Sequence, residues 1–190
     1  MDALPGAATG ARHHRGAVRR FVSDAWLWSQ GIGGVAALLG VLAFQCRQDV
    51  RMLVLLSGSC VAWSLHFLML AQPTAALLNL ITAVRNLVGI RYRGAWLAGL
   101  FILLYLVSGG MSWQSAWDLL PITAVVSGSV GVFFLQGLSR RGALLLGSLL
   151  WVAFNLQAGS IPGVVVMGAD ALSNALRMYR LRRAVRSMGD

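Results

Sequence analysis

The chain contains seven apolar runs that approach the length of a helix crossing a lipid bilayer. A bilayer core about 30 Å thick takes about 20 helical residues, with about 17 to 25 as the working range. Together the runs cover roughly two-thirds of the 190 residues. They are Trp26–Phe44, Met52–Ala71, Thr74–Ile90, Gly94–Gly110, Leu119–Gly137, Ala143–Ala158 and Gly163–Tyr179.

Composition excludes an ordinary soluble domain. Hydrophobic residues make up 57% of the chain and charged residues only 12%, whereas soluble domains carry about 25% charged residues. A soluble protein of this size could not bury so much apolar surface. The sequence therefore predicts an all-α fold, a polytopic membrane bundle of seven transmembrane helices whose main partner is the lipid bilayer.

The net charge of +10 would suggest a nucleic-acid partner on a soluble protein. Here the arginines instead come in pairs between apolar runs, as Arg47 with Arg51, Arg91 with Arg93, and Arg140 with Arg141. Such spacing is typical of the cytoplasmic loops of membrane proteins. We therefore expect no nucleic-acid partner.

The same arginines predict orientation in a bacterial inner membrane. The first, third and fifth loops together carry six arginines, and the second, fourth and sixth loops carry none. The chain after Arg177 adds more arginines. The side with the arginine-bearing loops and the C-terminus is therefore predicted to lie in the cytoplasm. Seven spans then place the N-terminus outside. The four arginines within residues 1–25 conflict with this orientation, but the rule is best supported for short loops.

Two turns and two tails complete the predicted organisation. Gln72-Pro73 and the segment 159–163 break long apolar runs, because proline removes a backbone donor and disfavours helix in the residue before it. We predict a disordered, Arg-rich tail over residues 1–25, a transmembrane domain over 26–180 and a basic cytoplasmic tail over 181–190.

An internal repeat is visible when the sequence is shifted by 88 residues. The shift places Trp63 on Trp151, Ala83 on Ala171 and Asn86 on Asn174. The repeat is therefore residues 26–90 and 119–179, with a linker helix over 94–110. Each repeat has three helices, and the single linker helix between them gives both repeats the same orientation in the membrane. This 3+1+3 arrangement is a parallel repeat, and a central site is expected between its two halves.

Polar residues within the spans are the candidates for that site, since such groups usually face the bundle interior. Asp170, Asn174 and Arg177 share one helical face. Amides donate and accept hydrogen bonds at once, which suits a neutral polar solute such as a sugar or nucleoside. On the third span the similarly spaced polar residues are Asn79, Thr82 and Asn86.

Several stretches resemble the YgjV family of bacterial inner-membrane proteins, from Trp26 to about Arg182. They are Trp26-Leu27 with Gln30-Gly31, Leu119-Leu120-Pro121, Trp151-Val152 with Asn155, Ala158-Gly159-Ser160-Ile161, and Asn174 with Arg177. That family looks like a distant relative of the SWEET, PQ-loop and PnuC transporters. The proline-glutamine motif of PQ-loop proteins is absent, because Gln72-Pro73 has the reverse order.

The resemblance implies a SWEET-like fold of two three-helix repeats and small-solute transport, without a substrate. In SWEET-like carriers Asn and Trp from both halves line the pocket, and the residues that match are Asn86, Asn174, Trp63 and Trp151. Other polar groups have a structural alternative: interhelical hydrogen bonds for Gln30 and Asn155, snorkelling to the interface for Arg85, and a helix contact for His66.

We therefore expect a carrier of a small polar solute. The alternative is a non-transporting lipid-interacting or scaffold protein, whose intramembrane polar residues only hold helices together. No nucleophile–base pair, carboxylate pair or metal-ligand cluster can be assembled from the sequence, so we expect no enzymatic activity, catalytic residue, metal or cofactor. The sequence leaves a homo-oligomer open.

Overall fold

A computed structural model describes residues 7–92 and 94–186, with side chains over 24–92 and 94–181. These ranges form seven α-helices and one short 3-10 helix, Ala116–Asp118. The predicted all-α class is confirmed, and every predicted span overlaps one helix. The helices are α1 (Ala7–Gln45), α2 (Asp49–Met69), α3 (Pro73–Arg91), α4 (Ala95–Met111), α5 (Leu119–Phe134), α6 (Gly137–Ala158) and α7 (Ile161–Arg186).

Both predicted hairpin turns are confirmed as helix boundaries. Pro73 is the first residue of α3, a position where the missing N–H donor has no helical partner to lose. Gly159 ends α6 with φ at 71°, the left-handed conformation that glycine adopts most easily. The Ser160 N–H then donates to the Asn155 carbonyl at 2.9 Å, which satisfies an acceptor at the helix end.

The two terminal helices are longer than the predicted spans. Residues 7–25, predicted to be disordered, continue α1 as helix; residues 1–6 lie outside the described chain. Alanine and arginine favour helix, and no proline interrupts the segment. α7 likewise continues to Arg186 through most of the predicted basic tail, whose last four residues are not described. The 39 residues of α1 span about 58 Å, about twice a bilayer core.

Six of the seven helices pack in a ring, each against two neighbours. α2 contacts α1 and α3, α6 contacts α5 and α7, and the two three-helix units meet where α3 packs on α5 and where α7 packs on α1. α4 lies against α3 and α5. Short connections make consecutive helices antiparallel.

This alternation gives the bundle two different ends. We call the end where α1, α3, α5 and α7 finish the arginine end, because its turns carry arginines such as Arg47 and Arg91. The other end, with the turns 70–72, 112–118 and 159–160, is the opposite end.

The outer surface is apolar. Leu103, Leu149 and Val165 are all more than half exposed, an arrangement that is stable in lipid and unfavourable in water. By length and composition, three helical segments of the described chain can cross a membrane: Asp24–Gln45, Asp49–Met69 and Ala116–Phe134. The 17-residue α4 is apolar but shorter.

α5 and α6 approach each other closely through small residues. A Cβ added to Gly147 would lie 3.2 Å from the Ala124 carbonyl oxygen, and one added to Gly131 would lie 3.0 Å from the Ala143 Cβ. Ser127 Oγ donates to the Ala143 carbonyl at 2.8 Å. Gly131 and Gly147 therefore permit close packing of the two helices.

Candidate functional site

A cavity of about 240 Å³ lies between α3, α5, α6 and α7. Its walls come from both three-helix units, since α3 belongs to the first and the other helices to the second. Apolar side chains of α5, α6 and α7 supply much of the lining, but six larger or polar side chains give it chemical character. These are Thr82, Arg85, Ser129, Ser148, Trp151 and Asp170.

Arg85 on α3 supplies the positive charge of the cavity. Its Nη1 donates to Ser129 Oγ at 3.1 Å, and its Nη2 donates to Asn86 Oδ1 at 3.3 Å. Both partners are neutral, so the guanidinium keeps its full charge beside the cavity, where it is half-buried. The snorkelling alternative does not describe this position, because Arg85 bridges to α5 instead of extending to the arginine end.

Asp170 on α7 supplies the negative charge. Ser148 Oγ of α6 donates to Asp170 Oδ2, and Asn174 Nδ2, one turn further along α7, donates to the same oxygen at 3.3 Å. The predicted common face of Asp170 and Asn174 is thus confirmed by a direct hydrogen bond. Like Arg85, Asp170 is held by neutral partners.

Asn86 and Asn174 are both buried beside the cavity and contact its charged residues. Asn86 accepts from Arg85, and its Nδ2 lies 3.9 Å from the Cys60 sulfur on α2. Asn174 donates to Asp170 and accepts from Arg141 Nη1 at 3.2 Å. Each of these two amides therefore contacts a charged residue of the lining.

Thr82, another predicted site residue, lines the cavity on α3. Its Oγ1 lies 3.0 Å from the Tyr105 hydroxyl of α4 and 2.8 Å from the Leu78 carbonyl, to which it donates. These bonds tie the cavity wall to the linker helix.

An aromatic cluster packs between the cavity and the opposite end. We give this name to Trp63 and Phe67 of α2 with Trp151 and Phe154 of α6. Phe67 lies between the two tryptophans, with its ring centroid 5.8 Å from each and interplanar angles of 25° and 22°. Such offset stacks are favourable beyond the area they bury. Trp63, a predicted site residue, belongs to the cluster, while Trp151 belongs to both the cluster and the cavity lining.

His66 of α2 lies beyond the aromatic cluster and forms hydrogen bonds to α1 and to the α6–α7 turn. Its ring is fully buried; Nδ1 lies 2.6 Å from the Ser29 carbonyl oxygen of α1 and Nε2 lies 2.7 Å from Ser160 Oγ, next to α7. A carbonyl can only accept, so Nδ1 carries the proton, and Nε2 can accept from the serine hydroxyl. The interpretation of His66 as a helix contact is confirmed.

Gln30 forms a second bond system at the opposite end. Its Nε2 donates to the Gly159 carbonyl at 3.2 Å, and its Oε1 accepts from the Ile161 N–H at 2.9 Å. Trp26 Nε1 donates to the same Gly159 carbonyl at 3.2 Å. Gln30 therefore satisfies the first N–H of α7 and ties α1 to the α6–α7 turn, away from the cavity.

Asn79 and Asn155 also lie away from the cavity. Asn79 Nδ2 donates to the Ala75 carbonyl at 2.9 Å within α3. Asn155 Nδ2 donates to the Trp151 carbonyl at 2.7 Å, and its buried Oδ1, which accepts no hydrogen bond, packs against Gly163 at the start of α7. Of the nine predicted residues, the structure brings Thr82, Trp151 and Asp170 to the cavity, with Asn86 and Asn174 as their immediate neighbours.

Sequence reasoning missed Ser129 and Ser148 and favoured another role for Arg85. The repeat contains a signal for Ser148, since a shift of 89 places Ser59 on it. In the structure Ser59 Oγ donates to the Ala36 carbonyl at 2.7 Å, whereas Ser148 reaches Asp170. No sequence signal separates a serine that packs from one that lines a cavity.

A second cavity, of about 400 Å³, lies at the arginine end. Arg141, Arg177, Arg180 and Leu181 line it, and Arg141 connects it to Asn174. Its arginines make this part of the surface strongly positive.

The described residues contain no group of three or more metal-ligating side chains. Cys46 and Cys60 are both free thiols, and Cys60 is 14 positions along the chain from Cys46 on the next helix.

Comparison with known proteins identifies the family. No solved structure matches the chain. The inner membrane protein YgjV of Escherichia coli (strain K12) is 30% identical over 158 residues, which cover 83% of this chain and 86% of that protein. The family model Imp-YgjV, described as bacterial inner membrane protein, matches residues 27–185. The chain therefore belongs to the YgjV family of bacterial inner membrane proteins, and is a multi-pass protein of that membrane.

Proposed function

We propose that the protein is a carrier of a small polar solute, with the cavity between α3, α5, α6 and α7 as its binding site. The observation that supports this most is the placement of polar and charged groups from both three-helix units around one cavity. Charged groups at membrane depth are costly and are usually retained for function.

The packing order supports the 3+1+3 parallel repeat on which this mechanism depends. Exchanging α1, α2 and α3 with α5, α6 and α7 converts the α3–α5 contact into the α7–α1 contact, and both contacts are present. α4 packs at only one of these junctions, as a linker helix would. Carriers of this kind move their solute by rocking one repeat against the other around a central site.

The closed end supports a carrier over an open channel. The aromatic cluster and His66 fill the bundle between the cavity and the opposite end. A path that is closed on one side is what alternating access requires in one of its states.

Solute uptake into liposomes containing the purified protein tests the proposal. We expect uptake of at least one member of a panel of sugars, nucleosides, amino acids and organic ions, and a loss of about tenfold in the Asn86→Ala, Asn174→Ala double variant. Asn79→Ala removes an amide outside the cavity and serves as the matched control. Uptake unchanged in the double variant would contradict the proposed site.

Cysteine labelling tests whether the cavity contains water. In a background with Cys46→Ser and Cys60→Ala, a membrane-impermeant maleimide should label Gly128→Cys, because this partly exposed cavity position has open space around an added side chain. It should not label Ser59→Cys, which replaces a serine buried between α1 and α2. An unlabelled Gly128→Cys would favour the non-transporting alternative, in which the polar residues only join helices.

We also propose that the arginine end faces the cytoplasm and that the N-terminus lies outside, with no enzymatic activity. The split of six arginines against none among the short loops supports this orientation. Reporter fusions before residue 1 and after Asp190 test it; two ends on the same side would contradict seven spans.

A further inference from the structure

The two charges of the cavity lie on different walls. Arg85 projects from α3, which packs on α5, whereas Asp170 projects from α7, which packs on α6. Residues of α5 and α6 also line the cavity. The lining therefore has a guanidinium on one side and a carboxylate on the other.

Within the described residues these charges do not neutralise each other directly. Arg85 donates only to Ser129 and Asn86, and Asp170 accepts only from Ser148 and Asn174. A guanidinium has five N–H donors and a carboxylate has about four acceptor positions. Each group therefore keeps unused hydrogen-bonding capacity, and the second oxygen of Asp170, Oδ1, accepts no bond from the described protein.

The cavity volume sets the size of a ligand. About 240 Å³ equals the liquid volume of about eight water molecules at about 30 Å³ each. A compact molecule of that volume or less fits, and covalently bonded atoms occupy less space than the same number of separate water molecules. The volume therefore admits a small solute, and the charged groups of the lining decide its chemical class.

We infer that this cavity binds a small zwitterion, with its anionic group on Arg85 and its cationic group facing Asp170. This inference rests on the proposed carrier function and names its substrate class. Trp151 at the end of the cavity offers an apolar face to the carbon skeleton of the ligand.

Electrostatics explains why one ligand must carry both charges. A purely anionic solute would compensate Arg85 but would be repelled by Asp170, and a cation would meet the reverse situation. Arg85 is partly buried and Asp170 is exposed, so a charge left uncompensated costs most at Arg85. A zwitterion matches both walls and enters without changing the net charge of the cavity.

Binding to the purified protein in detergent tests the inference without requiring transport. The probes are glycine and L-alanine, which carry the two charges at the same short separation, and β-alanine and γ-aminobutyrate, which carry them one and two carbons further apart. We expect at least one to bind by calorimetry, and the analogues with one charge, propionate and ethylamine, to bind at least about tenfold more weakly. No binding by any of the four zwitterions at millimolar concentration would overturn the inference.

Charge variants locate the site. Arg85→Gln and Asp170→Asn should each weaken binding about tenfold or more, while Arg85→Lys and Asp170→Glu, which keep the charges, should retain part of it. Arg51→Gln and Asp24→Asn remove exposed charges outside the cavity and should bind normally. If either charge-removing variant binds as the wild type does, the inference is wrong; if one fails to fold, its charge-conserving partner and the single-charge analogues decide.

Uptake then separates this inference from the carrier proposal. Zwitterion binding without uptake would leave the site intact and contradict the carrier function. Uptake of an uncharged solute that no zwitterion inhibits would support the carrier and overturn the zwitterion site.

Discussion

The opposite end and the cavity use similar polar residues in different ways. At the opposite end His66 bonds to Ser29 and Ser160, and Gln30 bonds to the α6–α7 turn, so these side chains have few unused donors or acceptors. Around the cavity Arg85 and Asp170 are bonded only to neutral groups and keep free donors and acceptors. Under the proposed function, unused hydrogen-bonding capacity next to a cavity, more than polarity at membrane depth, separates a binding group from a structural one.

The largest stability loss is expected in the aromatic cluster. Phe67→Ala removes a side chain that is 2% exposed and leaves a cavity between α2 and α6, so the free energy of unfolding should fall by about 3–5 kcal/mol. Phe44→Ala, at a side chain that is 74% exposed, is the matched control and should have a much smaller effect. Thermal unfolding in detergent measures both variants. Equal unfolding midpoints would contradict the tight packing of the aromatic cluster.

Gly33→Ala should cost about 1–3 kcal/mol by overpacking. An added Cβ would lie 2.7 Å from Pro162 Cγ and 2.9 Å from His66 Nδ1, so it would disturb the contact between α1, α2 and α7. Gly34→Ala is one residue away and meets nothing within 4 Å. The difference between the two unfolding midpoints isolates the steric effect, and a stable Gly33→Ala protein would argue against the tight opposite end.

Gln30→Ala should lower stability by about 1 kcal/mol. The substitution leaves the first N–H of α7 without its side-chain acceptor and removes one donor to Gly159, but the site is partly exposed, so lipid headgroups or water can replace some bonds. Uptake per folded molecule should not change. A loss of uptake at unchanged stability would show that Gln30 acts in transport and not only in helix packing.

Ser148→Ala should have the smallest effect on stability and a clear effect on function. Its hydroxyl has one proton, which the Leu144 carbonyl and Asp170 Oδ2 share. Without the hydroxyl, the Leu144 carbonyl keeps its helical bond within α6 and Asp170 stays exposed, so the free energy of unfolding should change by less than about 0.5 kcal/mol. Solute uptake or zwitterion binding should fall about tenfold, because Asp170 loses the bond that orients it. Ser59→Ala is the control at the related repeat position.

The sequence predicts the helices well because their limits depend on local chemistry. Pro73 and Gly159 stop helices wherever they occur in such a chain, and apolar runs of about 20 residues have few alternatives in a membrane. The start of α1 was missed because alanine and arginine within a polar tail favour helix without giving an apolar pattern.

The site is harder to predict because it depends on helix rotation and on contacts distant in sequence. Arg85 and Asn86 are neighbours, yet only Arg85 lines the cavity. Ser129 and Ser148 gain their role from partners 44 and 22 positions away. Each of these serines follows a glycine, as Ser59 does, yet Ser59 only joins α2 to α1.

Trp151 lines the cavity and is also one layer of the stack with Phe67. If the protein is the carrier proposed above, separating that stack to release solute at the opposite end would also move the wall against which the solute rests. Emptying the site and opening the exit would then be a single movement, and no continuous pore would form through which ions could leak and dissipate the membrane potential.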